Sequence, residues 1–210
     1  MHFLAHRGLW KIGSDKNAPY AILRALKNGW GIETDVRDYC GKLVISHDIP
    51  LQTGFTLEAL FAEYKAMDAS SILALNIKSD GLALHVKEML IKYGISNYFC
   101  FDMSVPDTIA YMRAGLKVAS RISEYEPEGL LTELTNTIWL DGFNSSGLNI
   151  ESLLRWLDDE KSVCVVSPEL HGRDPTPLWS ELKCIPRRSL LLSNIMLCTD
   201  LPEQAQEFFR

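Results

Sequence analysis

The sequence predicts a compact (β/α)₈ barrel, the TIM fold, formed by residues 1–210 as a single domain. Short apolar runs alternate with amphipathic stretches along the whole chain. The runs are apolar throughout, as strands of a parallel sheet covered on both faces are. Paired off, they make about eight βα units, the number that closes such a barrel.

The expected strands are residues 3–5, 31–36, 42–46, 72–77, 98–101, 118–121, 137–140, 162–166 and 190–196. The helices between them are expected at 19–27, 56–66, 82–93, 105–114, 129–135, 150–158, 176–182 and 202–209. Thr56 precedes the Leu57-Glu58-Ala59-Leu60 stretch as an N-cap, and Pro106 behind Ser104 suits a first helical turn. Gly29, Gly94 and Gly115 follow amphipathic runs, where helix C-terminal caps belong. Runs 31–36 and 42–46 flank the turn Tyr39-Cys40-Gly41-Lys42, so they are halves of one bent strand or a small hairpin. An open doubly wound sheet is the alternative, but no glycine-rich phosphate loop follows the first strand.

With 210 residues, 47% of them hydrophobic, the chain suffices for one full core. A net charge of -6 argues against nucleic acid or an anionic membrane surface as the main partner. No signal-peptide pattern precedes His6, and no apolar run is long enough to span a bilayer. The five cysteines are odd in number and lack CxxC spacing, which points to free thiols and a reducing cytoplasm.

The chemistry-bearing residues crowd the first quarter of the chain. They are His6-Arg7-Gly8, Glu33-Thr34-Asp35 and His47-Asp48, each where an apolar strand is ending. Barrel active sites form at the C-terminal ends of strands, where Asn76 and Lys78 also fall. Glu33 and Asp35 are two apart and share one strand face, the barrel interior, where carboxylates need a metal or a base as partner. Two imidazoles, a guanidinium and two spaced carboxylates are what metal-assisted cleavage of a phosphate ester requires.

In this order, His6-Arg7-Gly8, Lys16-Asn17-Ala18, Glu33-Thr34-Asp35, His47-Asp48, Asn76-Ile77-Lys78 and Thr199-Asp200-Leu201-Pro202 resemble the motifs of the glycerophosphodiester phosphodiesterase superfamily. This barrel group also includes phosphatidylinositol-specific phospholipases C and sphingomyelinases D. The resemblance spans the chain and implies a phosphoric diester hydrolase. It assigns His6 and His47 as the general acid–base pair, and Arg7 and Lys78 as cations that bind the phosphate. Glu33 and Asp35 become ligands of a divalent cation, Mg²⁺ or Ca²⁺. Asn76 stands at the third ligand position, where the family has an acid, and Lys16 replaces the family's PENT glutamate. A neutral amide oxygen attracts a dication less than a carboxylate does, by on the order of a few kcal/mol, so the metal is expected to be held weakly. The family's longer segment between His47-Asp48 and the next helix is missing.

After the seventh strand, Glu169 and His171 are candidates for binding a substrate hydroxyl, or for packing their own loop. Asp102, Arg121 and Asp141 occupy similar strand-end positions. Trp10 and Trp30 lie beside the motifs, with core packing the default for either. The expected substrate is a small soluble phosphodiester, with no insertion into a membrane. The main alternative is a non-catalytic barrel that binds a phosphorylated ligand. An isomerase or aldolase using Lys78 is more distant, because a neighbouring metal and phosphate already account for that charge.

Overall fold

The computed structural model describes residues 1–145, 148–185 and 193–210. In chain order the elements are β1 (His2–His6), α1 (Pro19–Lys27), β2 (Gly31–Tyr39), β3 (Lys42–Ile45), α2 (Leu57–Ala66) and β4 (Leu73–Ile77). Then come α3 (Ala83–Tyr93), β5 (Tyr98–Phe101), α4 (Val105–Arg113), β6 (Ala119–Ile122), α5 (Leu130–Leu134) and β7 (Thr137–Leu140). The last elements are α6 (Ile150–Asp158), β8 (Ser162–Val166), α7 (Thr176–Lys183), β9 (Ile195–Thr199) and α8 (Pro202–Phe208). Neighbouring strands follow the order β5-β4-β2-β1-β9-β8-β7-β6, with β3 attached to β2. Eight parallel strands alternating with helices place the chain in the (β/α)₈ barrel class.

The chain divides into two compact units. The first, Ala5–Val118, carries β2 to β5 and the first four helices. Its strands β2 and β4 are parallel, with Glu33 opposite Ala74 and Asp35 opposite Asn76. β2 and β3 pair antiparallel, with Tyr39 opposite Lys42, so this region is a hairpin rather than one bent strand. Its turn, Cys40–Gly41, has φ of +48° and +76°, and two left-handed residues are what a two-residue hairpin turn needs to match strand twist. The hairpin carries Ser46 back beside Asp35, whose carbonyl accepts from the Ser46 N–H at 3.1 Å. Thr56 caps α2 by accepting from the Ala59 N–H at 3.1 Å, and Gly94 ends α3 with φ +67°. Ile22, Leu57, Leu60, Phe61, Leu75 and Tyr111 are fully buried and build the core of this unit.

The second unit comprises Met1–Leu4 and Ala119–Arg210. Its parallel strands β6 to β9 pack α6 and α7 through Ile138, Leu153, Val163, Leu178, Trp179 and Leu197. The last strand is Ile195–Thr199 rather than residues 190–196, and residues 190–192 lie outside the described residues. Ser193 and Asn194 form a turn that starts the strand later, and Ile195 pairs with Val163. Ser193-Asn194 interrupts the apolar residues at 190–196, and this polar pair is the break that sets the strand start. No helix among the described residues is long and apolar enough to cross a membrane.

Candidate active site

His6 ends β1, and the chain then turns sharply. Arg7 has φ +57° and Gly8 φ +91°. The turn is held by its own backbone: Arg7 N–H donates to Glu33 O at 2.8 Å, and Leu9 N–H donates to Ala21 O at 2.9 Å. The Arg7 carbonyl accepts from the Asn17 N–H at 2.9 Å. Trp10 Nε1 donates to the His6 carbonyl at 3.1 Å. The two side chains are therefore presented from a fixed backbone.

Glu33 and Asp35 lie on one face of β2 and are 1% and 0% exposed. Two buried carboxylates so close must be compensated, and the structure shows how. Arg7 Nε lies 2.8 Å from Asp35 Oδ2, an ion-pair contact without hydrogen-bond alignment. Asn17 Nδ2 donates to the same oxygen at 2.8 Å, while Asn17 Oδ1 accepts from the Thr34 hydroxyl at 2.8 Å. Lys78 Nζ lies 3.5 Å from Asp35 Oδ1 and 3.2 Å from Asp102 Oδ2. His6 Nε2 stands 3.8 Å from Glu33 Oε2, and the Asn76 side chain hydrogen-bonds Glu33.

This places His6, Arg7, Glu33, Asp35, Asn76 and Lys78 in one connected network within the first unit. His47 makes its contacts elsewhere. Its ring pairs with the exposed Asp48 at 2.8 Å, its carbonyl accepts from Arg37 Nε at 3.0 Å, and its side chain is 47% exposed. Lys16 sits 4.5 Å from the centroid of the Trp10 ring, a cation–π contact.

Among the described residues, no group of three or more His, Cys, Asp or Glu side chains is arranged to hold a metal ion. Three buried oxygens nevertheless lack any hydrogen-bond partner: Glu33 Oε2, Asp35 Oδ1 and Asn76 Oδ1. Asp35 lies opposite Asn76 across β2 and β4, and Glu33 stands two residues before Asp35 on the same strand face. Unpartnered buried acceptors are costly, and hard oxygen donors from two carboxylates and an amide suit Mg²⁺ or Ca²⁺. The residues present fit the cation that the motifs imply.

Glu33 carries the electrostatic signature of this environment. Burial raises its pKa from the ordinary 4.5 to about 7; His6, Arg7 and the Asn76 hydrogen bond oppose the rise, and Asp35 adds to it. Between those pH values only the folded state keeps the proton, so raising pH favours unfolding. In EDTA, the protein should lose stability from about pH 4.5 to about pH 7, by on the order of 3 kcal/mol, with no further loss from this group above that. Urea midpoints near pH 5 and pH 8 should differ in this sense, and Glu33→Gln should remove most of the difference. An unchanged slope in the variant would locate the pH dependence elsewhere.

In the second unit, Glu169 accepts from the Ser167 and Thr199 hydroxyls and from the Asp200 N–H, which ties the loop after β8 to the end of β9. His171 Nε2 lies 2.8 Å from Asp141 Oδ1, and its ring is 5.0 Å from that of Phe143. Arg121 forms an ion pair with Glu126. Glu124, unremarked in the sequence, accepts from the backbone N–H groups of Phe143, Asn144 and Ser145. Desolvation raises its pKa, but those hydrogen bonds outweigh it and bring it to about 2.

Asn17 stands within the Lys16-Asn17-Ala18 motif segment, but sequence reasoning assigned it no role. The available signal was its type: Asn17 has φ +63°, and asparagine tolerates the left-handed region better than most residues.

The fold and this charge-paired centre define a (β/α)₈ barrel with a buried acid, imidazole and cation set at its strand ends. The solved structures it resembles share that architecture. One is a proposed glycerophosphodiester phosphodiesterase from Galdieria sulphuraria, with TM-score 0.76 and 17% identity over 99% of this chain and 97% of that one. A glycerophosphodiester phosphodiesterase from Agrobacterium tumefaciens gives TM-score 0.71 and 15% identity over 99% and 98%. A phosphodiesterase from Oleispira antarctica, solved in complex with the product sn-glycerol-3-phosphate, gives 0.66 and 15% over 99% and 96%. At these identities the likeness establishes the fold. No protein-family model matches the sequence, nor does any curated protein.

Proposed function

We propose that this protein is a phosphodiester hydrolase of the glycerophosphodiester phosphodiesterase type, acting on a small soluble diester. The observation that carries the reading is the network at the strand ends. It joins an imidazole, two cations and two buried carboxylates, and leaves three buried oxygens without a hydrogen bond. The solved structures of like fold support it, since several are phosphodiesterases.

Glu33, Asp35 and Asn76 would hold a divalent cation, loosely because one ligand is neutral. Such a cation, when bound, supplies positive charge against the phosphoryl oxygens. Arg7 and Lys78 orient the phosphate and neutralise charge that develops on it. His6 Nε2, beside Glu33, either takes the proton of the attacking hydroxyl or gives one to the leaving ester oxygen. His47, half exposed just past β3, moves the other. In the second unit His171, oriented by Asp141, is proposed to accept a substrate hydroxyl. Glu169 is proposed for the same class of ligand group, alongside its role in tying its loop. The chain is proposed to act as a single domain, and its odd number of cysteines suits a reducing cytoplasm.

The exposed position of His47, paired with Asp48 rather than with the buried network, favours a second reading: a barrel that binds phosphate esters without cleaving them. Turnover of bis(p-nitrophenyl) phosphate and of glycerophosphodiesters, measured with Mg²⁺, Ca²⁺ or EDTA, separates the two. Cation-dependent turnover lost in His47→Ala supports hydrolysis. Ester binding without turnover in every condition supports the second reading.

A further inference from the structure

Lys78 is held from two sides by residues of different strands. Its ammonium lies 3.5 Å from Asp35 Oδ1, on β2, and 3.2 Å from Asp102 Oδ2, just past β5. Asp102 does not arrive there by continuing its strand. β4 and β5 pair with Asn76 opposite Phe101, so the next residue, Asp102, falls opposite Ile77. A continued pleat would send the Asp102 side chain to the Ile77 side, away from the face that Asn76 and Lys78 share. Instead Asp102 has φ +74°, which breaks the pleat and brings its carboxylate round to Lys78. Backbone strain of this kind persists only where surrounding structure enforces it, and it collects at functional sites.

A lysine otherwise has a flexible four-carbon stem and a point charge with no preferred direction. The Lys78 and Asp102 side chains are 18% and 16% exposed, so the pair is only partly screened by water. We propose that Asp102 is a positioning residue, which pins the Lys78 ammonium where the proposed hydrolase needs a cation beside the transferring phosphoryl group. The inference rests on that functional reading for its consequence, and on the geometry alone for the pinning itself.

Three variants separate the contributions of charge, hydrogen bond and backbone. Asp102→Gly relieves the left-handed backbone and removes the carboxylate. It should leave the melting temperature unchanged or higher while lowering kcat about tenfold or more, with little change in KM, because a misplaced cation stabilises the transition state less. Asp102→Asn keeps an oxygen for the Lys78 ammonium and tolerates the backbone, so it should recover most of that loss. Lys78→Ala combined with Asp102→Gly should be no slower than Lys78→Ala alone, since the two residues act as one unit. Wild-type kcat in Asp102→Gly, or losses that multiply in the double variant, would overturn the proposal. NMR relaxation of the Lys78 ammonium group gives a readout independent of turnover. It should be restricted in the wild type and in Asp102→Asn, and free in Asp102→Gly. If the wild type cleaves no diester, the hydrolase reading fails, and the NMR comparison still decides whether Asp102 pins Lys78.

Discussion

Alanine at His6 should reduce turnover of bis(p-nitrophenyl) phosphate by about 10²–10⁴-fold, the usual contribution of one positioned acid or base. It should do so without loosening the fold. The turn after β1 is held by backbone groups of His6, Arg7, Leu9 and Asn17, none of which needs the imidazole. The ring is 12% exposed and stands 3.8 Å from Glu33 Oε2, so its removal opens a small, solvent-connected space rather than a sealed cavity. Steady-state kinetics beside thermal unfolding of the same preparation make the comparison. Turnover within a fewfold of wild type would remove His6 from the proton-transfer machinery. Loss of activity in step with lost stability would make it a structural residue.

Gly8→Ala should have the largest effect on stability, of about 3 kcal/mol or more, the range typical of backbone strain combined with overpacking. A Cβ at this position would lie 2.6 Å from the carbonyl carbon of Ala21 and 2.6 Å from the nitrogen of Ile22. These are backbone atoms of α1, and no rotamer change can move them away. The left-handed φ of +91° adds a penalty for any residue with a side chain. Relief requires α1 to move off the turn, which disturbs the Asn17 contact with Asp35 and the Arg7 pairing beside it. Gly29→Ala is the matched control. It has φ +76° but nothing within 4 Å of the added carbon, so it should cost only about 1 kcal/mol. Chemical denaturation of the two variants tests the ordering, and equal losses would mean that the contact with α1 is not what demands glycine.

The barrel class was legible because burial on both faces forces each parallel strand to be apolar throughout, and because every covering helix must be amphipathic. β5, β7 and β8 fall where the apolar runs put them, as do α1 and α6. The start of β9 falls later than expected because Ser193 and Asn194, inside the predicted run, form a turn rather than strand. The hairpin of β2 and β3 was left open between two forms, and Cys40–Gly41 resolved it through the φ values a tight turn demands.

The site divides in the same way. Residue types and order bring His6, Arg7, Glu33, Asp35, Asn76 and Lys78 to strand ends, because strand pleat and barrel topology are periodic and so are written locally. What each carboxylate pairs with is a matter of long-range geometry. Asp35 takes Arg7, Asn17 and Lys78 from three different segments, and Glu33 is left with His6, Asn76 and a pKa near 7. Asp102 shares Lys78 only because its backbone leaves the pleat. By itself the sequence determined the fold class, the strands and the chemical inventory at their ends. The tertiary structure alone decided which charges meet, because ion pairing between distant segments depends on register and on φ angles that no local pattern encodes.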